Sequence, residues 1–88
     1  MIVQNVQSDN KTIQGNSYLA DQIVNITVPN GYKVLGCVGF TNINRGQIAI
    51  TQCEAPFGGK VIYFSAKNTH STLLTGSFTF RILFIKII

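Results

Sequence analysis

At 88 residues the chain has room for one domain with a modest core, and its 45% hydrophobic and 11% charged residues leave it poorer in charge than the roughly 25% of ordinary soluble domains. The net charge of +4 reflects scarce acids, namely Asp9, Asp21 and Glu54, and the seven Lys and Arg residues are scattered, which argues against the basic stripe of a nucleic-acid binder. No apolar run approaches the ~18 residues of a membrane-spanning helix, and the N-terminus lacks a basic stretch leading into an apolar one, so membrane insertion and ordinary signal-directed export are not expected.

No 3.6-residue periodicity lasts long enough for a helix. Apolar alternation instead predicts strands at Ile2–Gln7, Lys11–Gln14, Gln22–Val28, Tyr32–Ile43, Gln47–Cys53, Lys60–Ala66 and Ser77–Ile88. Seven short strands predict an all-β, antiparallel β-sandwich, formed as a single module over residues 1–88. Turn chemistry separates the strands. Pro29-Asn30-Gly31 and Gly58-Gly59 supply residues tolerant of positive φ, and Asn68 to Gly76 reads as one polar loop.

Asn44-Arg45-Gly46 fits a three-residue hairpin loop with a type I turn and a G1 bulge. That register pairs Ile43 with Gln47, Thr41 with Ala49, Gly39 with Thr51 and Cys37 with Cys53. Val34, Val38 and Phe40 then meet Ile48 and Ile50 on the core side, and the small residues Cys37, Gly39, Thr41, Ala49, Thr51 and Cys53 form a flat outer face. Counted from the loop, Cys37 and Cys53 fall at a hydrogen-bonded pair, where Cα atoms sit about 5.5 Å apart and side chains diverge. Two free thiols are expected, as suits a chain made in a reducing cytoplasm.

Two Cys and a distant His70 make no metal-ligand set, no Asp or Glu pair has acid–base spacing, and Gly58-Gly59-Lys60 is followed by Val61 rather than Ser or Thr. Neither an enzyme nor a cofactor or metal site is expected. Two glycosylation sequons, at Asn10 and Asn25, are short enough to arise by chance and carry no function.

The last strand is apolar on both faces. Phe78, Phe80, Ile82, Phe84 and Ile88 alternate on one side, broken by Lys86, and Thr79, Leu83, Ile85 and Ile87 on the other, broken by Arg81. One face fills the core of a small domain, and the second needs a cover that 88 residues scarcely supply. The strand is therefore expected to take part in an oligomer interface through Phe78, Phe80, Ile82, Leu83, Phe84, Ile85 and Ile87.

The run Pro29-Asn30-Gly31-Tyr32-Lys33-Val34-Leu35-Gly36-Cys37-Val38-Gly39-Phe40, with Asn16-Ser17-Tyr18-Leu19-Ala20-Asp21 before it and Thr79-Phe80-Arg81-Ile82-Leu83-Phe84-Ile85-Lys86 at the end, resembles the C-terminal β-sandwich module of tail fibre, baseplate and receptor-binding proteins of phages and prophages of Gram-positive hosts. The resemblance covers nearly the whole chain and rests on strand and turn residues. It implies a jelly-roll-like homotrimer with the final strand near the threefold axis, possession of other tail proteins as partners, and placement in the virion tail after synthesis in the bacterial cytoplasm. It further implies recognition of a bacterial cell-surface saccharide, with the chain forming all or the C-terminal part of a longer tail protein.

A saccharide site needs an aromatic platform with amides and hydroxyls on loops. Tyr63 with Asn68, Thr69 and His70, and Asn44 with Arg45 at the hairpin tip, are the candidates. Each has a plainer role to weigh: Tyr63 in a core or interface, Asn44 and Asn68 as turn formers, Arg45 and His70 as solvated groups. The rival function is a structural module that trimerises or caps a fibre without touching a receptor. A single-stranded nucleic-acid barrel using Tyr32, Phe40, Tyr63 and Phe64 is a third reading, weakened because those aromatics lie on apolar strands.

Overall fold

The computed structural model describes residues 1–41 and 48–87, and every regular element among them is a β-strand. The strands are β1 (Ile2–Gln7), β2 (Lys11–Ile13), β3 (Tyr18–Asn25), β4 (Tyr32–Thr41), β5 (Ile48–Glu54), β6 (Val61–Asn68), β7 (Leu74–Gly76) and β8 (Thr79–Lys86). The all-β antiparallel expectation holds. The Asn44-Arg45-Gly46 loop lies outside the described residues.

Pairing follows one rule along most of the chain. An outgoing arm, β1 to β3, runs antiparallel to a returning arm, β6 to β8, from Ile2↔Phe84 to Gln7↔Thr79, then Lys11↔Gly76 to Ile13↔Leu74, then Tyr18↔Lys67 to Asn25↔Val61. Backbone bonds carry the ribbon through the intervals: Ser8 N donates to Phe78 O at 2.8 Å, Asn16 N to His70 O at 2.9 Å, Asn68 N to Ser17 O at 2.9 Å and Ile26 N to Lys60 O at 2.8 Å. The folded ribbon is widened on each level by one further strand. β4 joins the free side of β8 and β5 the free side of β6, giving two three-stranded sheets, β1–β8–β4 and β3–β6–β5, with β2–β7 as a separate pair.

The two sheets share one core, in a sandwich-like arrangement. Val34, Phe80, Ile82 and Phe84 come from the first sheet and Val24, Ile48, Ile62, Phe64 and Ala66 from the second, with Ile13 and Phe78 beside them. Phe64 bridges the layers, its ring centroid 5.0 Å from that of Phe78 and 5.0 Å from that of Phe80 in tilted pairs. Each such ring contributes roughly 1.5–3 kcal/mol by leaving water. The central strands β6 and β8 supply most of these residues because both of their edges are paired and their inward faces meet mid-core.

Local signals explain the turns. Gly31 (φ 82°) and Gly58 (φ 73°) take the left-handed positions of two tight turns, closed by Tyr32 N to Pro29 O at 3.1 Å and Gly59 N to Pro56 O at 3.0 Å. Asn16 (φ 56°) does the same between β2 and β3, where Gly15 is required for a different reason: a Cβ there would fall onto the Ser71 carbonyl oxygen.

Several expectations need correction. β4 and β5 do not form a hairpin ladder. Thr41 pairs with Thr79, Gly39 with Arg81 and Cys37 with Ile82, whereas Ala49 pairs with Lys67 and Cys53 with Phe64. β8 is the better neighbour for β4 because its apolar alternation matches Val34 to Phe84 and Phe40 to Phe80. Bulges between Val34 and Gly36 and between Cys37 and Gly39 bring Cys37 opposite Ile82 and Phe40 opposite Phe80, but neither Val38 nor Phe40 is buried in the core as expected: they are 54% and 44% exposed. The supposed polar loop from Asn68 to Gly76 contains the end of β6 and all of β7.

The expected oligomer interface must also be narrowed. Phe78, Phe80, Ile82 and Phe84 are fully buried in the chain's own core and have no surface to offer a partner. Leu83, Ile85 and Ile87 lie on the opposite, outer side: Leu83 and Ile85 are half-buried and Ile87 is 49% exposed.

Candidate functional site

The outer face of the β3–β6–β5 sheet carries a shallow groove of about 350 Å³ lined by Asp21, Ile23, Gln52, Glu54, Tyr63 and Phe64. Its middle is one cross-strand row, Ile23–Tyr63–Glu54, set by the pairing of Tyr63 with Ile23 on one side and Glu54 on the other. Because Phe64 points into the core, alternation turns Tyr63 outward, where it is 39% exposed.

The polar wall depends on a bulge. β3 shifts register between Leu19 and Gln22, Asp21 takes φ 55°, and its N–H donates to Ser65 Oγ at 3.1 Å. The Ser65 hydroxyl in turn donates to Gln52 Oε1 at 3.3 Å. Ser65, itself buried, thus ties the backbone of Asp21 and the side chain of Gln52 to the strand that bears Tyr63. The groove combines an aromatic ring, an amide and two of the chain's three acidic side chains, a set able to accept hydrogen bonds from a polyhydroxylated ligand while the ring contacts its apolar side. Further along β6, Lys67 faces outward and its Nζ stands 5.1 Å from the ring centroid of the exposed Tyr18.

The sequence candidates separate. Tyr63 is in the groove. Asn68 is removed from the list: it is fully buried, its Nδ2 donates to the carbonyls of Ile13 (3.0 Å), Gln14 (3.2 Å) and Thr72 (2.8 Å), and its Oδ1 accepts from His70 N–H at 2.9 Å. Its amide is committed to the chain's own backbone. Thr69 is exposed and His70 half-exposed, with His70 Nδ1 accepting from Thr72 N–H at 3.3 Å and lying 2.8 Å from Thr72 Oγ1. Five residue steps of strand, about 17 Å, separate Tyr63 from Asn68, so Tyr63 and the Thr69–His70 loop do not form one small site. Asn44 and Arg45 lie outside the described residues. Asp21, Gln52, Glu54 and Tyr18 escaped sequence reasoning because their adjacency follows from the β5–β6 register and the β3 bulge, neither of which has a local motif.

A second cluster sits where the two sheets' edges meet. Cys37 on β4 and Cys53 on β5 are both half-buried free thiols. The Cys53 thiol donates to Cys37 Sγ at 3.4 Å, and the Cys37 thiol donates to the Gly39 carbonyl at 3.3 Å. The expected divergence of the two side chains is overturned, because they face each other from different sheets rather than standing side by side in one ladder. Burial, followed by the Cys37 sulfur beside it, pushes the Cys53 thiol up to about 12, so it stays protonated at neutral pH. Among the described residues, no three His, Cys, Asp or Glu side chains gather as a metal site would require.

The chain matches no protein-family model, no curated protein and no solved structure.

Proposed function

We propose that this chain is a head or adaptor module of a phage tail, assembled as a homotrimer and holding a host cell-surface saccharide in the groove around Tyr63. The observation that carries the assembly is the outer face of the β1–β8–β4 sheet. Leu83 and Ile85 alternate with the buried Ile82 and Phe84, Val3 sits directly across from Leu83, and Ile87 extends the row. Contiguous apolar surface on the outside of a small sheet favours burial against a second surface. The ribbon pairing of β1 with β8, β2 with β7 and β3 with β6 supports a jelly-roll-like reading, since a jelly roll is a long antiparallel ribbon rolled on itself.

In such a trimer each protomer presents one shallow groove. Tyr63 offers an apolar ring face, and Gln52, Asp21 and Glu54 hydrogen-bond hydroxyls. Weak single-site binding becomes firm adhesion through several grooves at once. A structural module without receptor contact is the second reading, favoured by the single aromatic side chain at the centre of the groove.

Light scattering across a dilution series, followed by adsorption of the protein to Gram-positive cells, tests the proposal. The expected result is three times the chain mass and adsorption that Tyr63→Ala lowers about tenfold, on the order of the loss of one good ring contact. A stable trimer whose adsorption ignores Tyr63→Ala leaves the structural reading, and a monomer at all concentrations overturns the assembly.

A further inference from the structure

We propose that Cys37 and Cys53 are a modification site, an oxidisable pair that takes up a disulfide bond and locks β4 to β5 across the open edge between the two sheets. The two strands are held by different partners, β4 by β8 and β5 by β6, so no ladder hydrogen bonds join them. The sulfurs are 3.4 Å apart, and a covalent bond of about 2.05 Å asks them to close by only about 1.4 Å. β4 can supply that movement at the bulge that follows Cys37 between its pairs with Ile82 and Arg81.

Access is also built in. The two thiols line a hollow of about 240 Å³ with Val38, Gly39 and Phe40. Val38 and Phe40 are 54% and 44% exposed, so the hollow opens to solvent, where a disulfide oxidant such as oxidised glutathione can bring one sulfur up to the thiols.

The exchange balances in two steps. Cys37, as thiolate, attacks one sulfur of the oxidant, and the other sulfur leaves as glutathione thiolate and takes a proton from water. Cys53 then gives its proton to solvent and attacks Cys37 Sγ, expelling the second glutathione. Two protein thiols become one disulfide, and one oxidant disulfide becomes two thiols, a transfer of two electrons. Cys37 is the first nucleophile because its sulfur accepts the Cys53 S–H bond, whereas Cys53 holds its own proton tightly. The resolving step is therefore the slower one at neutral pH.

The bond would close a loop between residues 16 apart in sequence. Constraining such a loop in the unfolded chain should raise Tm by on the order of 10 °C.

Purified, reduced protein is treated under native conditions with oxidised glutathione, alkylated with iodoacetamide in denaturant, and weighed intact without reductant. The expected product is a monomeric chain lighter by two hydrogens, with no alkyl groups, whose higher Tm returns to the starting value on reduction. Cys37→Ser and Cys53→Ser should each abolish the two-hydrogen loss and the Tm rise, with Cys53→Ser stopping at a glutathione adduct on Cys37. Alkylation of both thiols after oxidation, stable glutathione adducts on both, or disulfide-linked dimers would each overturn the proposal.

Discussion

Asn68 shows how much one buried side chain can organise. Its amide has no route to water, and it joins Ile13 and Gln14 on the outgoing arm to Thr72 and His70 on the returning arm, at the place where the ribbon passes from β2–β7 to β3–β6. Asn68→Ala leaves three carbonyls and one N–H without this partner. Only the bond to the Ile13 carbonyl is fully buried, and the Gln14 carbonyl keeps Ser17 N–H as a second partner, so at about 1–3 kcal/mol for a buried group left unsatisfied the expected loss is about 1–3 kcal/mol of the roughly 5–15 kcal/mol typical of a domain. Urea unfolding measures it, and a loss under about 1 kcal/mol would mean the corner is held by other bonds. The sequence signals an Asn in a polar stretch and so suggests a turn former. Its true work is invisible there because the three carbonyls come from positions 13, 14 and 72, and no local pattern brings them together.

At the scale of elements, β8 divides cleanly into an inner and an outer row, and the two rows should answer differently to substitution. Phe80→Ala opens a cavity beside Phe64 and should cost about 3–5 kcal/mol. Leu83→Lys places a charge on the outer face, where the fold should tolerate it within about 1 kcal/mol, while the proposed trimer should give way to a monomer in light scattering. Loss of the fold with Leu83→Lys would show that the outer row serves the protomer itself. This two-faced character was legible from alternation alone, as were β1, the start of β4 and the turns at Gly31 and Gly58. The partner of β4 was not. The Asn44-Arg45-Gly46 signal suggests pairing with the next strand, but ladder choice depends on matching long apolar faces, and β8 offers Phe80 and Phe84 where β5 offers shorter side chains. β7 was hidden because its three residues, Leu74 to Gly76, end a stretch of Asn, Thr, His and Ser that reads as a polar loop. Of the groove, only Tyr63 was legible, since Glu54 and Gln52 reach it through a register and Asp21 through a bulge.

For the whole molecule, the ribbon means that pairing partners are distant in sequence, from Ile2 with Phe84 at its open end to Asn25 with Val61. Loop closure must precede most of the stabilising contacts, which slows folding. Refolding by stopped-flow fluorescence of the tyrosines should take milliseconds to seconds, as for other all-β domains of high contact order. A microsecond phase carrying the full amplitude would contradict this topology. The sheets also differ in how their borders are finished. β3, β4 and β5 each contain a register shift, at Leu19/Gln22, at Val34/Gly36 and Cys37/Gly39, and at Ile50/Gln52, whereas β1 pairs without interruption from Ile2 to Gln7. Bulges twist a border away from strangers and block edge-to-edge aggregation. The short β2–β7 pair is also unbroken, but β1 is the longest described border at which a foreign strand could extend a sheet in unbroken register, and the exposed Gln4, Asn5 and Gln7 along it are what such a strand would meet.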